Sequence, residues 1–330
     1  MNILVIHSRD LEKGSTRFRV VQYQPWLQSQ GVHVDYVNRK LLGKMLNRIS
    51  DYDVIINQKC LLRMGLQKQL RAHARRLVFD YDDAIYTRPG KPYGLITGFR
   101  VRRRMAYWMR HADIVTTSSE YLANYARRYQ DDSRARVQVL PMGVDLSLWS
   151  PDTSRRSEKI VLGWAGAPVN LKHIERLEPV LKAVLDRHSN VEVAVFSGDK
   201  PKLSIPHRYV PYRDGGEPEF IRGLDVGLLP LVDDEHARGK SPIKAIQYLA
   251  CGVPVAGNVY GATAEIVNSD NGIAVESESQ WLDALERLIT DAGLRKRLGE
   301  SGRQHIEQHN DRSVLQQQLL KAVSGREYGE

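Results

Sequence analysis

Three groups of residues in this chain have the types and spacing to do chemistry. The first is Arg238-Gly-Lys-Ser-Pro-Ile-Lys-Ala-Ile-Gln-Tyr-Leu-Ala-Cys-Gly-Val-Pro-Val-Ala-Gly257. Ser241 is of a type that caps helices, and Pro242 suits a first helical position, where its missing N–H costs nothing. The amides of Ile243 and Lys244 then point out of the helix start, where hydrogen bonding and the helix dipole both favour an anion. Arg238, Lys240 and Lys244 bring positive charge to the same spot. The stretch reads as a phosphate cradle, and the competing reading is an ordinary α/β crossover with solvated basic residues. The second group is Leu77-Val-Phe-Asp-Tyr-Asp-Asp-Ala-Ile-Tyr86. Residues 77–80 fit a strand, which puts Asp80, Asp82 and Asp83 at or just past its carboxyl end. Carboxylates crowded in this way repel one another, and one acquires a raised pKa. Asp82 and Asp80 are the candidate catalytic residues, placed to stabilise positive charge developing in a transition state. Turn formation by the same aspartates is the alternative. The third group, Phe99-Arg-Val-Arg-Arg-Arg-Met-Ala-Tyr-Trp-Met-Arg-His111, interleaves Arg100, Arg102, Arg103, Arg104 and Arg110 with aromatic residues that include Trp108. On a helix that mixture suits an anionic membrane surface or an acceptor, and a solvated face of a core helix is the bland reading.

These groups must be held by an α/β framework. Short β-branched runs at residues 3–7, 32–37, 53–58, 77–80, 114–118 and 137–140 alternate with amphipathic segments such as 17–30 and 120–129, which implies a parallel, doubly wound sheet. The segments around 141–145 and 149–156 break the pattern and read as an interdomain linker. Alternation resumes with strands at 160–164, 191–197, 226–229 and 253–256, and with helices at 172–187, 241–250 and 278–292. Two such sheets in tandem make an α/β protein of two Rossmann-like domains facing each other across a cleft. The loop at residues 7–19 holds one glycine, Gly14, and not the three of a dinucleotide fingerprint, which disfavours a nicotinamide dehydrogenase. Gly14 still allows backbone to approach a diphosphate; a loop with a helix cap is the alternative. A strand running into Gly166-Ala-Pro-Val-Asn-Leu-Lys172 makes Gly166 and Lys172 further anion-binding candidates.

Composition sets the outer limits. At 330 residues the chain exceeds one usual core. No apolar run approaches the roughly 20 residues that cross a bilayer, and residues 1–7 read as a strand and not a signal peptide. Cys60 and Cys251, lacking metal spacing, fit a reducing cytoplasm. The net charge of +9 points to anionic partners. No recognised nucleic-acid module accompanies that charge, so nucleic acid is not an expected partner. The histidines show no ligand spacing, so no metal site is expected.

The order of the pieces resembles the retaining nucleotide-sugar glycosyltransferases of family 4, which have the GT-B fold. The matching pieces are Leu140-Pro-Met-Gly-Val-Asp145, the Gly166–Lys172 turn, Gly223-Leu-Asp-Val-Gly-Leu-Leu-Pro230, Lys244-Ala-Ile-Gln-Tyr-Leu-Ala-Cys-Gly-Val-Pro-Val255 and Glu265-Ile-Val267. The resemblance implies an acceptor domain at 1–148, a donor domain at 149–310, and a last helix at about 311–330 that packs back on the first. It implies transfer of a sugar from a nucleotide-diphosphate donor to a glycan or lipid-linked acceptor with retention, with no cofactor beyond that co-substrate. A cytoplasmic, peripherally membrane-bound enzyme of envelope polysaccharide or glycolipid synthesis is the expected setting. Arg238, Lys240, Ser241, Pro242, Ile243, Lys244 and Gln247, with Gly14, Gly166 and Lys172, are the residues expected at the donor. This sequence also departs from the pattern. Of the family's two glutamates eight positions apart, the later falls on Gln247 and the earlier on Gly239; its usual arginine falls on Ala167. These departures motivate the alternative of a degenerate relative that binds a nucleotide sugar, or a partner enzyme, without turnover.

Overall fold

The structure is a computed structural model that describes residues 1–8, 10–11, 14–130, 136–152 and 158–325. Part of the expected linker (153–156), residues 9, 12 and 13 of the first loop, and residues 326–330 of the expected return helix lie outside the described residues. The chain divides into two compact units, one of Met1–Gly143, Asp234–Ser241 and Arg312–Glu330, the other of Val144–Asp233 and Pro242–Asp311.

In the first unit, β1 (Asn2–His7), β2 (His33–Asn38), β3 (Val54–Gln58), β4 (Leu77–Tyr81), β5 (Ile114–Thr117) and β6 (Val137–Val139) form one sheet in the order β2-β1-β3-β4-β5-β6. Every pairing is parallel. Each residue of β3 and β4 is buried, as strands covered on both faces require. Side chains alternate between two cores. Leu4, Ile6, Ile55 and Phe79 face one that contains Met105 and Trp108. Ile3, Val5, Val54 and Val78 face the other, which Leu315, Leu319, Leu320 and Val323 of the helix Arg312–Ser324 complete.

The second unit repeats the plan with β7 (Ile160–Ala165), β8 (Val191–Ser197), β9 (Arg208–Pro211), β10 (Val226–Leu229), β11 (Val255–Gly257) and β12 (Gly272–Ala274) in the order β12-β11-β10-β7-β8-β9. All five pairings are again parallel. The doubly wound α/β class expected from the alternation is therefore found twice. Strand order reverses between β1 and β3 and between β7 and β10, and ligands of such sheets bind beyond the carboxyl ends of strands at these switch points.

Two expected helices are each divided in two. Residues 17–30 form the helix Ser15–Arg19, a 3-10 turn at Val21–Tyr23 and the helix Gln24–Ser29. Residues 172–187 form Leu171–Arg176 and Glu178–Arg187. Pro25 and Pro179 sit in the opening turns of the second pieces. A proline has no N–H for the preceding turn, so it starts a new helix more readily than it continues an old one.

Candidate functional site

At the carboxyl edge of the first sheet, β4 delivers Asp80 into the interior at 4% exposure. Arg19, itself buried, pairs with it: Nε lies 3.1 and 3.2 Å from the two carboxylate oxygens, and Nη2 also reaches Oδ1. Thr116 on β5 donates to the same carboxylate at 2.7 Å. Arg19 further donates to the carbonyls of Leu140 and Pro141. This is a buried, saturated ion pair that ties the helix Ser15–Arg19 to β4 and β5. Asp80, expected to be catalytic, has both its oxygens engaged in this ion pair.

Asp82 and Asp83 lie just past β4 and share one cation that was not singled out in the sequence. Lys59 Nζ is 2.9 Å from Asp82 Oδ1 and 2.7 Å from Asp83 Oδ2. Gln58 Nε2 donates to Asp82 at 3.4 Å, and Thr16 Oγ1 donates to Gln58 Oε1 at 3.0 Å. Lys59 holds φ at 45°, and among the described residues it is the only one besides glycine in the left-handed region. Its N–H donates to the Asp80 carbonyl at 2.7 Å, which fixes that conformation. A strained non-glycine backbone at a switch-point edge is the kind of outlier that marks functional sites. Burial pushes the Asp82 carboxyl above its ordinary pKa, helped by the adjacent Asp83 and opposed by Lys59. Burial works against the Asp83 carboxylate too, but Lys59 and the Ser241 amide hold it below its ordinary value. Lys59 loses through burial and gains more from the two aspartates, which keeps it protonated. Asp83 is the carboxylate with exposed side-chain surface, about 30%, against 2% for Asp82. The one sequence signal for Lys59 was a polar Gln58-Lys59 pair closing an apolar strand.

The cradle expected around Ser241 is rearranged. The helix runs Ile243–Ala250 with Pro242 as its cap residue and no side-chain cap. Ser241 is not the cap, because its N–H donates to Asp83 Oδ1 at 3.2 Å and its Oγ is buried without a hydrogen bond. Arg238, Lys240 and Ser241 belong to the first unit, which the segment Asp234–Ser241 joins. That segment is held there by Gly90 N–H on Asp234 at 2.9 Å and by close packing of Gly239 on Ala84 and Leu122. Pro242, Ile243, Lys244 and Gln247 belong to the second unit.

In that second unit, Lys244 Nζ lies 2.5 Å from Glu217 Oε1 and 2.9 Å from Gln247 Oε1. Gln247 is fully buried, and its Nε2 has no hydrogen-bond partner. Gly166 follows β7, and its N–H donates to the Phe196 carbonyl at 3.0 Å, so that amide is committed to the sheet. A Cβ at Gly166 would meet the Trp164 ring at 2.5 Å, which is why glycine stands there. Lys172, in the first turn of Leu171–Arg176, is exposed. Gly14 caps the helix Ser15–Arg19 in the first unit with φ 66°, and a Cβ there would meet open space, so conformation and not room selects glycine.

The basic helix spans Leu95–His111. Arg100, Arg102 and Arg103 are exposed, and Arg104 is half-buried. Trp108 is not a surface contact: it is fully buried and stacks on Phe79 with ring centroids 5.6 Å apart. Helical spacing puts it on the core face with Val101 and Met105. Among the described residues no group of three or more His, Cys, Asp or Glu is arranged to hold a metal ion, and no helix is long and apolar enough to cross a membrane.

Comparison with known proteins agrees with this architecture. The model of Glycosyltransferase Family 4 matches residues 3–148, and that of Glycosyl transferases group 1 matches residues 159–291. The chain belongs to the family 4, group 1 glycosyltransferases and has their GT-B fold. It is 24% identical over 228 residues to D-inositol 3-phosphate glycosyltransferase of Corynebacterium diphtheriae, covering 59% of this chain and 52% of that one. To the capsular polysaccharide biosynthesis glycosyltransferase CapM of Staphylococcus aureus it is 25% identical over 199 residues, covering 54% and 51%. The chain thus spans about half the length of the curated relatives it matches. HepE of Anabaena, solved in complex with UDP and glucose, superposes with a TM-score of 0.74 at 13% identity over 98% of this chain and 99% of that one.

Proposed function

We propose that this chain moves a sugar from a nucleotide-diphosphate donor to a glycan or lipid-linked acceptor, with retention at the anomeric carbon, in envelope polysaccharide or glycolipid synthesis. The second unit is the donor half and the first the acceptor half. Gln247 carries the reading. A fully buried amide with no partner for its NH2 group is worth about 1–3 kcal/mol of lost stability, and a ribose hydroxyl of the donor would satisfy it. The uncapped start of Ile243–Ala250 offers amides and dipole to a diphosphate, and exposed Lys172 supplies charge that Ala167 does not. In the transfer step the departing diphosphate takes the acceptor proton, so the protein needs cations on the leaving group more than a strong nucleophile. Asp82 and Asp83, with Lys59 between them, are the first unit's candidates to stabilise positive charge developing in the transfer step. Family membership, and the UDP and glucose in the HepE complex, support the donor class.

The rival reading, binding without turnover, draws on the pairing of Lys244 with Glu217, which offsets a cation that the cradle would use. A thermal-shift screen with UDP-, GDP- and TDP-sugars, followed by NMR for sugar transfer or hydrolysis, decides between them. Stabilisation without any released or transferred sugar favours the rival, and no stabilisation by any nucleotide removes both.

A further inference from the structure

Beyond the carboxyl ends of β1, β2 and β3 the first unit carries four cations that its own carboxylates do not neutralise. The three strands are adjacent in the order β2-β1-β3. They end nearly level, with His7 opposite Asn38 and Ile6 opposite Asn57. Arg39 and Lys40 therefore leave β2 beside the end of β1, where the Arg39 N–H donates to the His7 carbonyl at 2.8 Å. The Lys40 N–H donates to Asn38 Oδ1 at 3.0 Å, which fixes that turn. Arg63 follows β3 and directly precedes the helix Met64–His73, whose first turn holds no acidic residue. Arg17 lies on the helix Ser15–Arg19, which Thr16 ties to Gln58 of β3 and Arg19 ties to Asp80 of β4. Arg39, Lys40 and Arg63 are exposed, and half-buried Arg17 lies over the Phe18 ring at 5.6 Å. Strands about 4.8 Å apart put the ends of β2 and β3 about 10 Å from each other, a gap across which long basic side chains can close on one small anion. Among the described residues none of the four cations forms an ion pair. Asp80 is matched to Arg19, and Asp82 and Asp83 to Lys59. Asp35 of β2 is held by Tyr52 and His33, and Asp10 of the first loop has a partner of its own. Burial pushes the Cys60 thiol up to about 12, and Arg39 is the largest influence opposing it, so the field of that guanidinium extends across β1 to the end of β3.

We infer that this edge is a phosphate site, and that the sugar acceptor bears a phosphate or diphosphate group which Arg17, Arg39, Lys40 and Arg63 recognise. Such an acceptor presupposes the acceptor role proposed above for the first unit. Ligands of open α/β sheets bind outside the carboxyl ends of strands at the switch point, here between β1 and β3. Charge number selects the occupant. A phosphate ester carries about −1.5 to −2 at neutral pH, and guanidinium groups bind its oxygens in pairs. A single carboxylate would leave most of the four cations unmatched, and a neutral glycan would leave all of them so. The phosphate anchors the acceptor, and the attacking hydroxyl belongs to another part of the molecule.

The test has a binding arm and a transfer arm. Titration calorimetry measures inorganic phosphate on the full chain, with and without saturating UDP. Arg39→Ala and Arg63→Ala are each expected to weaken phosphate roughly 10-fold or more. Arg75→Ala, which removes an exposed cation before the amino end of β4, leaves phosphate binding unchanged. All three positions are exposed, and unchanged thermal unfolding verifies the fold of the variants. The transfer arm uses the nucleotide sugar that the thermal-shift screen selects. It compares glycerol and glucose with glycerol 3-phosphate and glucose 6-phosphate as soluble esters, and with N-acetylglucosamine linked to farnesol through a diphosphate as the lipid source. Phosphorylated acceptors are expected to lead in kcat/KM by on the order of 100-fold, and Arg39→Ala raises their KM while kcat is retained. The soluble or the lipid-linked ester that receives the sugar names the source. Phosphate that fails to bind, or that binds Arg39→Ala and Arg63→Ala as tightly as wild type, overturns the inference. So does arginine-dependent binding that UDP displaces, which assigns the edge to the donor. Equal kcat/KM for glucose and glucose 6-phosphate overturns it too and leaves the proposed function standing. Phosphate bound as expected by a protein that transfers no sugar upholds the phosphate site and removes the proposed function.

Discussion

Replacing Lys59 with Met keeps a long apolar stem but deletes the ammonium that lies 2.9 Å from Asp82 and 2.7 Å from Asp83. Removing one partner of a buried ion pair costs about 3–5 kcal/mol. Asp82 is buried and Asp83 is partly exposed, so about 3 kcal/mol at neutral pH is the expected loss. The pH dependence separates this cause from lost packing. In the wild type Asp83 is depressed, so its contribution is present above the unfolded value of about 3.9 and lost as pH falls through the lower folded value. Lys59 is raised, so its contribution holds throughout the acid and neutral range and is lost only far above pH 7. In Lys59→Met both carboxylates remain without that cation, and their pKa values rise. The folded variant then prefers them protonated, and its penalty is small near about pH 4 and grows as pH rises through the raised values. Urea unfolding followed by tryptophan fluorescence, at several pH values, measures the difference. Lys59→Gly gives a second check: it also loses the ammonium but releases a left-handed strain of about 1–2 kcal/mol, so it should be less damaging than Lys59→Ala. A Lys59→Met loss that is equal at acid and neutral pH, or that stays below about 1 kcal/mol at neutral pH, would refute the ion-pair account.

Asp80→Asn leaves the buried Arg19 guanidinium without its carboxylate, and about 3–5 kcal/mol of stability should go with it; lost turnover at an unchanged unfolding temperature would instead favour Asp80 as a catalytic residue. Lys172→Ala should weaken binding of the donor nucleotide roughly 10- to 100-fold, the worth of a charge-assisted hydrogen bond, and unchanged affinity by calorimetry removes Lys172 from the donor site. Gly166→Ala drives a Cβ to 2.5 Å from the Trp164 ring, so about 1–3 kcal/mol of overpacking should lower the unfolding temperature; tolerance of alanine there would show that Trp164 moves aside.

The local pattern of this chain was enough to place most strands, because β-branched runs bounded by turn residues report burial directly. The runs expected at 53–58, 77–80 and 226–229 are β3, β4 and β10 within one residue at each end. The return helix expected at about 311–330 runs Arg312–Ser324, with residues 326–330 outside the described residues. The short edge strand β12, only three residues long, carried too little periodicity to be seen, and the Pro25 and Pro179 breaks were hidden inside amphipathic stretches that kept their period. Family membership was also legible, since the order of motifs is a property of sequence. Which charges neutralise which was not. Lys59 meets Asp82 and Asp83 because β3 is hydrogen-bonded to β4, and the Ser241 amide meets Asp83 across 158 residues of chain. Local periodicity says that a strand is buried without naming its neighbour, so a partner that arrives from another strand is decided only when the sheet assembles. The same holds for Trp108 against Phe99. Both are aromatic residues of one basic helix; spacing aligns Trp108 with Val101 and Met105, and packing against Phe79 makes that the inner face.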